Sequence, residues 1–84
     1  MEVRQEVKDF AKVMEYKLIC HDSKTQMATL GKEDIQWFID GLLDEVEELK
    51  EAIEIGTARD IVLETADVAN FAMMIMNIYA KEMD

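Results

Sequence analysis

From the N-terminus onward, apolar side chains return at steps of three and four: Val3, Val7, Phe10, Met14 and Leu18. That spacing puts them on one face of a helix running from about Glu2 to Cys20. The polar stretch His21-Asp22-Ser23-Lys24-Thr25-Gln26 breaks the pattern and reads as a loop, and Gly31 marks a second loop point. A new stripe follows, made of Ile35, Phe38, Ile39, Leu42, Val46, Leu49 and Ile53, and it predicts a second helix that starts near Lys32. Gly56 suits the left-handed position that closes a helix. Thr57 with Asp60 three residues on reads as the capping box of a third helix, over about Ala58 to Lys81. From Ala66 onward this helix is apolar nearly all round, so it is expected to be buried on several sides.

The chain has 84 residues, no proline and three glycines. That length makes one domain, residues 1–84, with few breaks in its helices. The expected fold is all-α: three long antiparallel helices with short connections, which is an incomplete bundle. Half the residues are hydrophobic, although a core this small is marginal by itself. A second copy that completes a four-helix core is therefore expected, as a homodimer or homotetramer.

Charge narrows the function. There are 19 acidic and 9 basic residues, for a net charge of −10. Such a surface repels nucleic acid backbones, which argues against a DNA- or RNA-binding role. It also repels a nucleoside triphosphate unless cations bind first. The one cysteine, Cys20, permits no intramolecular disulfide and fits a reducing, cytoplasmic setting. The opening Met1-Glu2-Val3-Arg4-Gln5-Glu6 lacks the apolar core of a signal peptide. The run from Ala66 to Ala80 is interrupted by Asp67, Asn70 and Asn77 and is short for a bilayer, so no membrane association is expected.

The candidate chemistry lies in the carboxylates. Asp44, Glu45, Glu47, Glu48, Glu51 and Glu54 crowd the second helix, with only Lys50 to offset them. A run like this is ordinarily a solvated face. Placement sets two of them apart: at about 100° per residue, Glu45 borders the apolar stripe and Glu48 lies beside it, one turn along. On the third helix Glu64 and Asp67 repeat the same spacing, with Asp67 between Phe71 and Met74 on a surface expected to be buried. A buried carboxylate without a partner is costly or forced neutral. One account of Asp67 is a structural ion pair with Lys8, Lys12 or Lys17 of the first helix. The other is a metal centre: two such pairs on neighbouring helices offer four hard oxygen donors, which select Mg²⁺, with Mn²⁺ possible. A di-iron centre would call for Glu-x-x-His pairs, and the single histidine, His21, lies outside the helices.

The run Asp44-Glu45-Val46-Glu47-Glu48 followed by Glu64-Thr65-Ala66-Asp67 resembles the signature of the MazG-like all-α nucleoside triphosphate pyrophosphohydrolases: Glu-Glu-x-x-Glu, a variable gap, then Glu-x-x-Asp. Asp44 stands in for the first glutamate. Ala66-Asp67-Val68-Ala69-Asn70-Phe71 and Lys17-Leu18 with Asp22 and Lys24 look like the branch that includes phage-type dATP/dGTP pyrophosphohydrolases. The likeness spans roughly Lys17 to Ala80. It implies that Glu45, Glu48, Glu64 and Asp67 ligate magnesium, that water attacks the α-phosphorus of a nucleoside triphosphate, and that active sites sit near subunit contacts.

In that reading Glu48, with Glu45 as a second candidate, is the catalytic base. Lys24 and then Lys17 are candidates for binding the outer phosphates, each also readable as a solvated lysine. Asn70 could orient a ligand, touch sugar or base, or simply bond a neighbouring helix. Trp37 could stack on a base, although its spacing suits core or interface. The rival readings are a non-enzymatic acidic helical module, for dimerisation or interaction, and a structural cation site without turnover.

Overall fold

The computed structural model describes residues 1–21 and 31–83. Among them are three α-helices and no strand: α1 over Gln5–His21, α2 over Ile35–Ile55 and α3 over Ala58–Ala80, with a 3₁₀ turn at Lys32–Asp34 leading into α2. The all-α expectation is met, with boundaries within a few residues of those the periodicity marks. His21, expected in the loop and outside the helices, is instead the last residue of α1; the rest of that loop expectation, Asp22 to Gln26, lies outside the described residues.

Gly56 and Thr57 join α2 to α3 in a tight antiparallel hairpin. The capping box is formed: the Asp60 N–H donates to Thr57 Oγ1 at 3.2 Å, and the Thr57 N–H donates to Asp60 Oδ2 at 2.9 Å. These bonds satisfy donors that the helix start leaves free. They also hold the Asp60 carboxyl below the ordinary carboxylate range. Gly56 corrects the expectation of a left-handed closure. Its φ of −96° and ψ of −178° are extended, and its N–H donates to Ala52 O at 2.8 Å. Glycine is needed for closeness instead, because a Cβ there would lie 2.8 Å from the Ala52 carbonyl oxygen.

The hairpin sets a register. Residues equally distant from Gly56 in sequence face each other, as Gly41 and Phe71 do. A Cβ on Gly41 would fall 2.3 Å from a ring carbon of Phe71, so the missing side chain is what lets the ring settle onto α2. Phe38 and Met74 obey the same symmetry and form the core with Leu18 of α1. Phe38 is the largest fully buried side chain, 1% exposed. At the open end of the hairpin, Lys32 binds Glu82 at 2.7 Å and lies over the Tyr79 ring.

α1 packs on α3 through its C-terminal half, where Leu18 is buried and Met14 half-buried. The N-terminal half of its stripe, Val3, Val7 and Phe10, is exposed. The expected burial of α3 on several sides is likewise only partly met. Ala66, Asn70 and Met74 are buried, while Val62 and Met76 are exposed. The physical reason is the helix count: among the described residues α3 packs mainly on α1 and α2, and a helix apolar all round needs more. α3 as folded is longer than its apolar half. By length and composition, with a mean hydropathy of 1.4, it is long and apolar enough to cross a membrane, which the shorter run from Ala66 did not suggest.

Candidate metal centre

The same register that pairs Gly41 with Phe71 brings the acids together. Glu48 and Glu64 are equally distant from Gly56, and so are Glu45 and Asp67. The two carboxylate pairs, one turn apart on each helix, therefore face each other across the hairpin. Glu45, Glu48 and Glu64 each present an oxygen within 4.8 Å of the others. The rest of the run, Asp44, Glu47, Glu51 and Glu54, is exposed as an ordinary solvated face, with Lys50 3.6 Å from Glu47.

Asp67, the fourth acid, is engaged differently. Its Oδ2 lies 3.3 Å from Lys17 Nζ of α1, and both side chains are largely buried, 13% and 14% exposed. The structural ion pair weighed for Asp67 is present, and its partner is Lys17. Lys17 is thus committed to a carboxylate in this state. Lys24, the other lysine considered for phosphates, lies outside the described residues.

All four acids, with Lys17, line one cavity of about 440 Å³ between the three helices. Glu45 Oε2 and Glu64 Oε2 are buried there without a hydrogen-bond partner. Buried polar atoms are nearly always paired, so an oxygen left over on each helix marks a group that either keeps its proton or takes a ligand. Burial pushes the Glu45 carboxyl up from its ordinary 4.5 to about 8. A hydrogen bond from the protonated Glu45 to the neighbouring Glu48 carboxyl adds to this, as do the charges of Asp67, Glu48 and Glu64. Glu64 is raised too, first by burial and then by Asp67 and Glu48. Oxygen-only donors, orphaned and mutually repelling, fit a hard divalent ion such as Mg²⁺.

The cavity also holds residues the sequence reading left open. Asn70 is 4% exposed. Its Nδ2 donates to the Met14 carbonyl at 3.1 Å, so it does bond a neighbouring helix, while its Oδ1 has no partner. Trp37 stands at the cavity wall, 45% exposed, edge-on to Phe38 with ring centroids 5.0 Å apart. Leu18, Phe71 and Met74, given no role in a site by the sequence, also line this cavity. Phe71 follows Asp67 by one helical turn, a spacing that could have placed it there.

No protein-family model matches the chain, and no curated protein or solved structure matches it.

Proposed function

We propose that the chain is a subunit of a magnesium-dependent nucleoside triphosphate pyrophosphohydrolase, which converts a (deoxy)nucleoside triphosphate and water to the monophosphate and pyrophosphate. The observation that carries this reading is the convergence of Glu45, Glu48 and Glu64 on one cavity, with two buried oxygens lacking any partner. The resemblance to MazG-like enzymes supports it, because the acids that converge are those of the signature.

Glu45, Glu48 and Glu64 hold the ion, with Asp67 beside them. When bound, Mg²⁺ offsets the protein's own negative charge and that of the phosphates and promotes attack by water. Glu48 is exposed at the open edge of the group, where a water has room, and it takes the proton as that water attacks the α-phosphorus. Pyrophosphate is the leaving group. Lys24 supplies positive charge toward the outer phosphates, and Lys17, the second candidate, would do so only on leaving Asp67. The free Asn70 Oδ1 is an acceptor only, so it suits a sugar hydroxyl or a base N–H and not a phosphate oxygen. Trp37 stands half-exposed at the same wall, where a base can stack on it. The exposed apolar side chains Leu43, Ile53 and Met76 support assembly as a homodimer or homotetramer.

The alternative, a non-enzymatic acidic helical module, draws on that same exposed apolar surface. A pyrophosphate-release assay over the common ribo- and deoxyribonucleoside triphosphates, with and without Mg²⁺, separates the two. The enzyme reading expects Mg²⁺-dependent release that Glu48→Gln removes while helical circular dichroism is kept. Release unchanged in Glu48→Gln, or absent from every nucleotide, contradicts it.

A further inference from the structure

We infer that α2 of a second copy of this chain packs antiparallel on a seam of α2 made of Ile35, Ile39, Leu42, Val46, Leu49 and Ile53, with Leu43 of each copy meeting at the twofold axis. This rests on the assembly proposed above and needs nothing of its chemistry. Within the chain, α2 meets α3 through a different line of positions. Phe38 and Ala52 are its two buried residues, and Gly41 between them admits the Phe71 ring. The six residues of the seam follow one another at steps of four, three, four, three and four. That is the spacing at which two helices interlock along their length. Among the described residues not one of the six is buried, and Ile39 and Ile53 are 37% and 60% exposed. An apolar line of this length left uncovered marks a contact surface.

The pattern identifies the occupant. The steps read the same in both directions, so the seam matches an inverted copy of itself. Ile35 then lies against the partner's Ile53, Ile39 against the partner's Leu49, and Leu42 against the partner's Val46, with no polar residue in any layer. The axis passes beside residue 44, and charge divides the helix at the same point. Residues 35–43 hold one acid, Asp40, whereas residues 44–55 hold Asp44, Glu45, Glu47, Glu48, Glu51 and Glu54. Antiparallel pairing lays each acid-rich half beside the partner's acid-poor half. It also brings Lys50, whose side chain is 64% exposed, toward the partner's Asp40. Parallel pairing would set each acid beside its own copy, at the cost of like-charge repulsion. Leu43 lies off the seam and is 57% exposed. Next to the axis it packs against its own copy, which gives that exposed leucine a partner.

The test is sedimentation equilibrium on the full chain, which needs neither metal nor nucleotide. The wild type is expected to show at least twice the chain mass of 9.7 kDa. Leu43→Glu and Ile53→Glu change positions that are exposed in the single chain. Each is expected to halve that mass while helical circular dichroism is kept. Val62→Glu, in the groove between α1 and α3 that is the rival contact, is expected to leave the mass unchanged. Cross-linking in a Cys20→Ser background fixes the direction. A short bismaleimide is expected to join Leu43→Cys to its own copy and Gln36→Cys to Lys50→Cys, but not Lys50→Cys to itself. An oligomer that survives both glutamate variants at the seam, or that Val62→Glu dissolves instead, would overturn the inference and leave an assembly standing. Lys50→Cys joined to itself would overturn the antiparallel direction. A wild-type monomer would overturn the assembly itself and leave the metal centre untouched.

Discussion

Glu45 on α2 and Glu64 on α3 each bury a carboxylate oxygen, without a hydrogen-bond partner, against the same cavity. The arrangement weakens the metal-free fold, since both groups are pushed toward the neutral form by burial and by each other's surroundings. In the proposed reading a cation relieves that strain, and the consequences can be measured.

The first concerns pH. The folded Glu45 carboxyl is raised from 4.5 to about 8, so the metal-free fold is favoured while that group is protonated. Its contribution is complete below about 4.5 and is lost as pH climbs through about 8. Thermal melts in a chelator are expected to show lower stability at pH ~8.5 than at pH ~5.5. Allowing for solvent screening, the loss is about 1 kcal/mol, or several degrees in Tm. A melt temperature that rises over this range contradicts the assignment.

Metal should reverse that loss. At about a hundredfold excess over its Kd, Mg²⁺ is expected to stabilise the fold by about 2.7 kcal/mol. Glu45→Gln removes the repulsion and one ligand together. The variant should therefore melt higher than wild type in chelator at pH ~8.5, gain little on adding Mg²⁺, and turn over at least ~100-fold more slowly. A Glu45 whose only role is structural would give a variant that is less stable with and without metal.

Gly41→Ala is expected to cost about 1–3 kcal/mol in chemical denaturation. The new methyl group would stand 2.3 Å from the Phe71 ring. Phe71 lines the cavity, so its displacement should weaken nucleotide binding as well.

Thr57→Ala removes half the capping box at the start of α3 and is expected to cost about 1 kcal/mol. Because it lies at the hairpin that aligns Glu48 with Glu64, the same variant reports how far the centre depends on that turn. A change in stability with unaltered Mn²⁺ affinity would show the register to be held by the core alone.

Much of this arrangement was legible in the sequence. The stripes from Ile35 to Ile53 and from Val3 to Leu18 define helices because an apolar face at helical spacing must be buried somewhere. The Thr57/Asp60 box fixed where α3 begins. Once that turn is placed, the symmetric positions of Glu48 and Glu64 follow from it. The placement of Asp67 on a buried face was readable too, but not which lysine of α1 would reach it. That choice depended on how α1 crosses the hairpin, which no local pattern encodes. The extended Gly56 escaped for a related reason: a glycine needed for close approach and one needed for a left-handed turn look alike in sequence. The exposure of Val3, Val7 and Phe10 was likewise hidden, since periodicity tells which face is apolar and not what covers it.

The most direct measurement follows the cleaved bond. A nucleoside triphosphate that the protein hydrolyses, incubated with Mg²⁺ in heavy-oxygen water, is followed by phosphorus NMR and mass spectrometry. The account predicts pyrophosphate and monophosphate as the products, with the label on the monophosphate phosphorus. Release of inorganic phosphate, label in the pyrophosphate, or hydrolysis that persists when Mg²⁺ is chelated would contradict it.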